Sequence, residues 1–109
     1  MSLMEYKMNQ HGQFLTGREE GRSAYKEMLK KAKDLEEYSE LILSFEEVKM
    51  MNPSFCDSSI GNLLLDIKTG DLSDKNIEIA FSQIESATVD STLQTVADCI
   101  GFPDVKIIA

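Results

Sequence analysis

Residues 41–64, LILSFEEVKMMNPSFCDSSIGNLL, decide the fold. Leu41-Ile42-Leu43-Ser44-Phe45 is a nearly continuous apolar run, too short for an independent helix and typical of a strand covered on both faces, so it is predicted as the central strand. Glu46-Glu47-Val48 ends it. Pro53 disfavours helical geometry at Asn52 and fits a first helical turn, which makes Met50 to Phe55 a strand-to-helix loop. Beyond it Cys56, Ile60, Leu63, Leu64 and Ile67 recur at helical spacing, and Ser54 with Asp57 forms a capping pair. A second helix is expected from Ser54 or Phe55 to Thr69-Gly70.

Working outward, Thr16-Gly17-Arg18-Glu19 carries a capping-box pattern that starts the first helix. Tyr25, Met28, Leu29, Ala32 and Leu35 give it one apolar stripe, and Lys26, Lys30, Lys31, Lys33, Asp34 and Glu36 fill the other face. Ahead of it, Glu5 to Leu15 reads as two short strands separated by His11-Gly12. On the other side, Ile77, Ile79 and Phe81 alternate as a strand within Asn76–Phe81, and Val89, Leu93, Val96, Ala97 and Ile100 define a third helix. Gly101 and Pro103 stop that helix, and Val105-Lys106-Ile107-Ile108 has strand composition.

Alternation of strands and helices implies an α/β fold: a mixed, mostly parallel sheet of four or five strands with three helices against it. The N-terminal pair is expected as an antiparallel edge. No linker or repeat divides the 109 residues, so one domain spanning 1–109 is expected, with Met1 to Leu3 read as a leader ahead of Met4.

Nineteen acidic and eleven basic side chains give a formal charge of -8, which repels phosphate backbones and anionic lipid surfaces. Nucleic acid and membrane are therefore not expected partners. No apolar stretch reaches the ~20 residues that cross a bilayer, and the N-terminus lacks signal-peptide character, so a cytoplasmic location is expected. Cys56 and Cys99 have no CxxC spacing, and His11 is the only histidine, which argues against structural zinc. Two reduced thiols on core-facing helix positions are expected, with no metal and no cofactor.

Two segments, FLTGREEGRSAYKEML and LILSFEEVKMMNPSFCDSSIGNLL, together resemble the STAS-like domains, bacterial proteins related in fold to the anti-sigma-factor antagonists. Arg18 and Gly21 match an Arg-x-x-Gly stretch opening the first helix. Ser54, Phe55, Asp57 and Gly61 match a Ser-Phe-x-Asp-x-x-x-Gly stretch opening the second. The resemblance covers roughly residues 14–65 and implies a sheet with helices packed on it, used as a protein-docking module. In the antagonists the loop before the second helix holds a serine phosphorylated by a partner kinase. Pro53 stands at that position here, which puts the phosphorylation switch in doubt. Asp57-Ser58-Ser59 is similar to the antagonist motif but falls too late, inside the helix.

Loops at the carboxyl ends of parallel strands carry function in α/β folds, which makes Met50 to Phe55 the leading surface. Met51, Asn52, Ser54, Phe55, Asp57 and Arg18 are the candidate partner-binding residues. Ser54 either caps the helix or accepts a phosphate that the helix dipole favours. Met50, Met51 and Phe55 either serve an adaptable contact surface or fill the core. Arg18 either binds a partner's carboxylate or phosphate, or pairs with Glu19 or Glu20. The expected function is a regulatory docking module without catalysis, partnered with a kinase-like ATPase or sensor protein. The alternatives are a small enzyme or thiol sensor using Cys56 with His11 as base, and a structural oligomer subunit pairing through Val105–Ile108.

Overall fold

A computed structural model of the chain describes residues 2–102 and 106–108. The elements in order are β1 (Leu3–Lys7), β2 (Phe14–Leu15), α1 (Arg18–Lys33), β3 (Glu40–Ser44), β4 (Met50–Met51), α2 (Pro53–Cys56), α3 (Asn62–Lys68), β5 (Glu78–Ser82), α4 (Ala87–Cys99) and β6 (Ile107–Ile108). A π-helical turn over Asp57–Gly61 joins α2 to α3, and the residues at both joints are right-handed helical. The chain therefore runs as one helix from Pro53 to Lys68, and three helices serve the fold, as the apolar stripes predict.

Strands β1, β3, β5 and β6 form one sheet in that order, and each neighbouring pair is parallel. The expected antiparallel N-terminal edge is corrected. After β1 a 3-10 turn over Met8–His11 buries Met8 completely. The chain is thereby drawn across the core, and β2 leaves β1 to pair parallel with β4, Phe14 opposite Met50 and Leu15 opposite Met51. This ribbon also claims part of the segment read as a pure loop.

Register puts Met4, Leu41 and Ile79 in one cross-strand row and Tyr6, Leu43 and Phe81 in another. Rows two residues apart share a face, and this face is the buried one. The opposite face carries Leu3, Glu5, Lys7 and Glu78, all exposed, with Glu40 and Ile42 half-buried and the small residues Ser44, Ala80 and Ser82 buried. So β3 is central, its Leu41 and Leu43 side fully buried and its other side only partly so. Its connections step the same way across the sheet, and right-handed crossovers then place every helix on one face. There α1 packs on α2 and on the π turn, and α4 packs on α2.

Local details differ from the reading of the helix ends. Gly17, not Thr16, is the N-cap of α1, and it sits at φ 92 with no side-chain capping bond. Of the predicted first stripe, Met28 and Ala32 are buried within α1 and Tyr25 and Leu29 half-buried, while Gly21 and Ala24 complete the seam. At the far end α4 stops at Gly101, whose φ of 72 suits glycine, and Phe102 N–H returns to Ala97 O at 2.9 Å. Pro103 and Val105 lie outside the described residues.

Candidate functional site

Parallel strands point their carboxyl ends at a cluster of three connections: Met8 to Gln13, Phe45 to Asn52, and Gln83 to Ser86. Backbone bonds tie the first two together: Lys49 N–H to Gln13 O at 2.8 Å and Asn52 N–H to Leu15 O at 3.0 Å. The Thr92 hydroxyl of α4 donates to Met51 O at 3.0 Å and fixes the ribbon from below. Glu47 and Gln83, in the turns after β3 and β5, hold φ of 64 and 58, a left-handed geometry uncommon for side chains of this size. Gln13, Glu47, Val48, Lys49, Glu85 and Ser86 line a shallow hollow of about 540 Å3 there.

Of the two readings left open for Met51 and Phe55, the structure takes core burial, since each is 1% exposed. They are corrected as direct contact residues. The exposed apolar group is Phe14, 61% exposed, opposite half-buried Met50. Sequence reading missed Phe14 because Phe14-Leu15 and Met50-Met51 are each apolar twice. Strand alternation buries one residue of each pair, and only ribbon pairing decides which.

Asn52 is the N-cap of α2, its Oδ1 accepting from Phe55 N–H at 3.0 Å, with Pro53 in the first turn. That role belongs to Asn52 and not to Ser54, which is half-buried in the same turn. Arg18 pairs with neither Glu19 nor Glu20. Its guanidinium meets the Asp57 carboxylate at 3.0 Å, both side chains about half exposed. An exposed pair of this kind contributes roughly 0–1 kcal/mol, so its main effect is to orient the two groups beside Ser54.

Below this pair lies the tightest contact in the fold. A side chain at Gly21 would meet Ser58 Oγ and stand 2.7 Å from Phe55 O. One turn on, Gly61 faces Val96 of α4, and a Cβ added at Gly61 would stand only 3.2 Å from Val96 Cγ1. Ser58 and Ser59 are buried, their hydroxyls donating to Ser54 O at 2.9 Å and Phe55 O at 2.6 Å. Back-bonding hydroxyls of this kind loosen helical geometry, consistent with the π turn found there. The glycines and serines of this segment thus set how α1, α2 and α4 meet.

The two thiols and His11 do not assemble. Cys56 is fully buried, and burial, with Asp57 adding to it, pushes its thiol up to about 12. Cys99 is exposed, which corrects the expectation of two core-facing thiols. His11 hydrogen-bonds the Tyr6 hydroxyl through Nε2 at 2.7 Å and stacks on that ring. Burial holds its pKa below the ordinary histidine value, with the Glu27 carboxylate opposing in part. Among the described residues no group of three or more His, Cys, Asp or Glu side chains could hold a metal ion. No described helix is long and apolar enough to cross a membrane.

Compared with known families, residues 20–80 match the STAS-like domain of unknown function. The chain belongs to this family. No curated protein and no solved structure matches it. The matched region of this STAS-like domain runs from the first turn of α1 into β5, so it contains both glycines, the whole contact of Gly21 with Ser58 and Phe55, and the whole helix from Pro53 to Lys68, while Val96 opposite Gly61 lies beyond it. Of the residues that carry the resemblance, Gly21 and Phe55 lie where α1 meets α2 and Gly61 lies against α4, while Ser54 is half-buried and Arg18 and Asp57 pair on the surface.

The thiol geometry gives a direct prediction. At near-neutral pH iodoacetamide should label the folded domain once, at Cys99, and twice in denaturant, because a buried thiol with a raised pKa supplies almost no thiolate. Intact-mass spectrometry reads the count, and two labels on the folded protein would show that Cys56 is accessible.

Proposed function

We propose that this STAS-like domain is a non-catalytic regulatory docking module, similar in role to the anti-sigma-factor antagonists, that engages a kinase-like ATPase. Its contact surface is the carboxyl end of the sheet: Phe14 and Met50 as the apolar element, and Asn52, Ser54, Asp57 and Arg18 as the polar one. The observation that carries the reading is Phe14. A large aromatic 61% exposed, on a two-stranded ribbon whose other face is locked into the core, costs less solvation if a partner covers it.

Ser54 is the proposed modification site. Asn52 already serves as the cap, and Ser54 lies at the positive end of a helix that continues to Lys68. A phosphate there would stand between the repulsion of Asp57 and the attraction of Arg18, and would compete for the ion pair. Buried Cys56, with its thiol raised to about 12, gives the thiol-sensor reading no support. The oligomer reading keeps one observation, the 44% exposure of Ile107 on edge strand β6.

Affinity capture with wild-type, Phe14→Ala and Ser54→Glu baits, with phosphosite mapping of the bait, tests the proposal. An ATP-binding partner should be recovered by wild type, reduced at least about tenfold by Phe14→Ala, and altered by Ser54→Glu. A partner retained equally by all three baits would place the contact elsewhere.

A further inference from the structure

A second hollow lies at the opposite end of the strands, where the chain enters β1, β3 and β5. It measures about 550 Å3 and is lined by Ser2, Leu3, Tyr38, Glu40, Asn76 and Glu78. Glu40 and Glu78 are directly opposed on β3 and β5, so two carboxylates stand side by side on the face of the sheet opposite the helices. Like charges so placed repel unless a cation joins them. Lys106 reaches across β5 to Glu40 at 3.3 Å. Glu78 is exposed and has no ion-pair partner among the described residues.

Surrounding charge deepens the field. Glu37 and Asp74 are exposed in the turns leading to β3 and β5. The nearby cation Lys75 is spent internally, its Nζ donating to Lys33 O at 2.8 Å and Leu35 O at 2.6 Å. Beside the carboxylates stand two exposed apolar groups, Tyr38 and Leu3, at 62% and 64%. Tyr38 sits at φ 62, and its N–H donates to Lys75 O at 2.7 Å, so the neighbouring turn holds its backbone in that conformation. Paired carboxylates, an aromatic ring and an aliphatic wall match a planar cation on an apolar stem.

We propose that this hollow receives an arginine side chain from a basic segment of a partner protein. The guanidinium pairs with Glu78 and competes with Lys106 for Glu40, and the stem lies against Tyr38, with Leu3 as a further wall. A protein source is favoured because the hollow is shallow: Tyr38, Asn76 and Glu78 are themselves exposed, whereas small-molecule sites enclose most of their ligand. The site is at the other end of the strands from Phe14 and stands independently of the docking surface proposed above.

The test is an amide chemical-shift titration at low salt with acetyl-Ala-Ala-Arg-Ala-Ala-amide, and with the same peptide carrying citrulline, which keeps the shape and loses the charge. Saturable shifts confined to the turns at Tyr38–Glu40 and Asn76–Glu78 are expected, about tenfold weaker with citrulline and in Glu78→Gln. Tyr38→Gly should weaken binding similarly without harming the fold, since glycine accepts the left-handed backbone. Phe14→Ala should leave the titration unchanged. Equal binding of the citrulline peptide, or shifts that spread without saturating, overturns the proposal. Arginine amide binding as tightly as the peptide overturns the protein source and makes this a small-molecule site.

Discussion

Gly21→Ala is expected to destabilise the domain by about 2 kcal/mol, although alanine is the better helix former. Propensity alone favours alanine over glycine in a helix interior by roughly 1 kcal/mol. Against this, the added Cβ would fall on Ser58 Oγ and within 2.7 Å of Phe55 O. The serine hydroxyl can rotate away, but the carbonyl is backbone in the α2 turn and already accepts from Ser59 at 2.6 Å. Relief therefore requires α1 to move off α2, and overpacking of this kind costs typically 1–3 kcal/mol and sometimes more. The steric effect wins. Urea denaturation followed by circular dichroism measures it, and thermal denaturation should show a drop in melting temperature of roughly 10 °C for a domain of this size. Ser58→Ala should recover only part of the loss in the double variant. A Gly21→Ala protein as stable as wild type would mean that the helices are less closely apposed than described.

Phe55→Ala is expected to cost about 3–5 kcal/mol, the usual range for emptying a buried phenylalanine site. Phe55 is 1% exposed, beneath the turn capped by Asn52 and against the Gly21 contact. Since whole-domain stability is commonly about 5–15 kcal/mol, this one change removes a large share of it. Any loss of partner binding by Phe55→Ala therefore reports unfolding, not a missing contact. Phe14→Ala is the matched comparison, because an exposed site away from special geometry should change stability by about 0.5 kcal/mol or less. Chemical denaturation of the two variants side by side separates them. Equal stability of both would show that Phe55 is not the core residue described.

The family motif takes on a different meaning in the light of these two positions. Read as a string, Arg18, Gly21, Ser54, Phe55, Asp57 and Gly61 look like a functional signature. In the fold Gly21 and Gly61 set helix approach, Phe55 fills the core, and Arg18 and Asp57 join two helices across the surface. Only the exposed or half-buried members, Arg18, Ser54 and Asp57, remain available to a partner.

What the sequence determined by itself was whatever depends on local periodicity: the alternation of elements, the α/β class, the central place of Leu41–Ser44, the helix after Pro53 and the stop at Gly101. Each follows from side chains within a few residues of one another, where spacing and backbone preference suffice. Tertiary structure alone decided the rest. Arg18 finds Asp57 across 39 residues of chain, not the glutamates beside it. Phe14 faces out and Met51 in because β2 pairs with β4, a parallel pairing that composition does not encode. The apolar run of β3 suggested two covered faces, yet successive crossovers in one direction put the helices on one face and leave Glu40 and Ile42 of the other only half-buried. Pairing between distant segments chooses among locally equivalent options, so exposure and partner are properties of the folded chain and not of its sequence pattern.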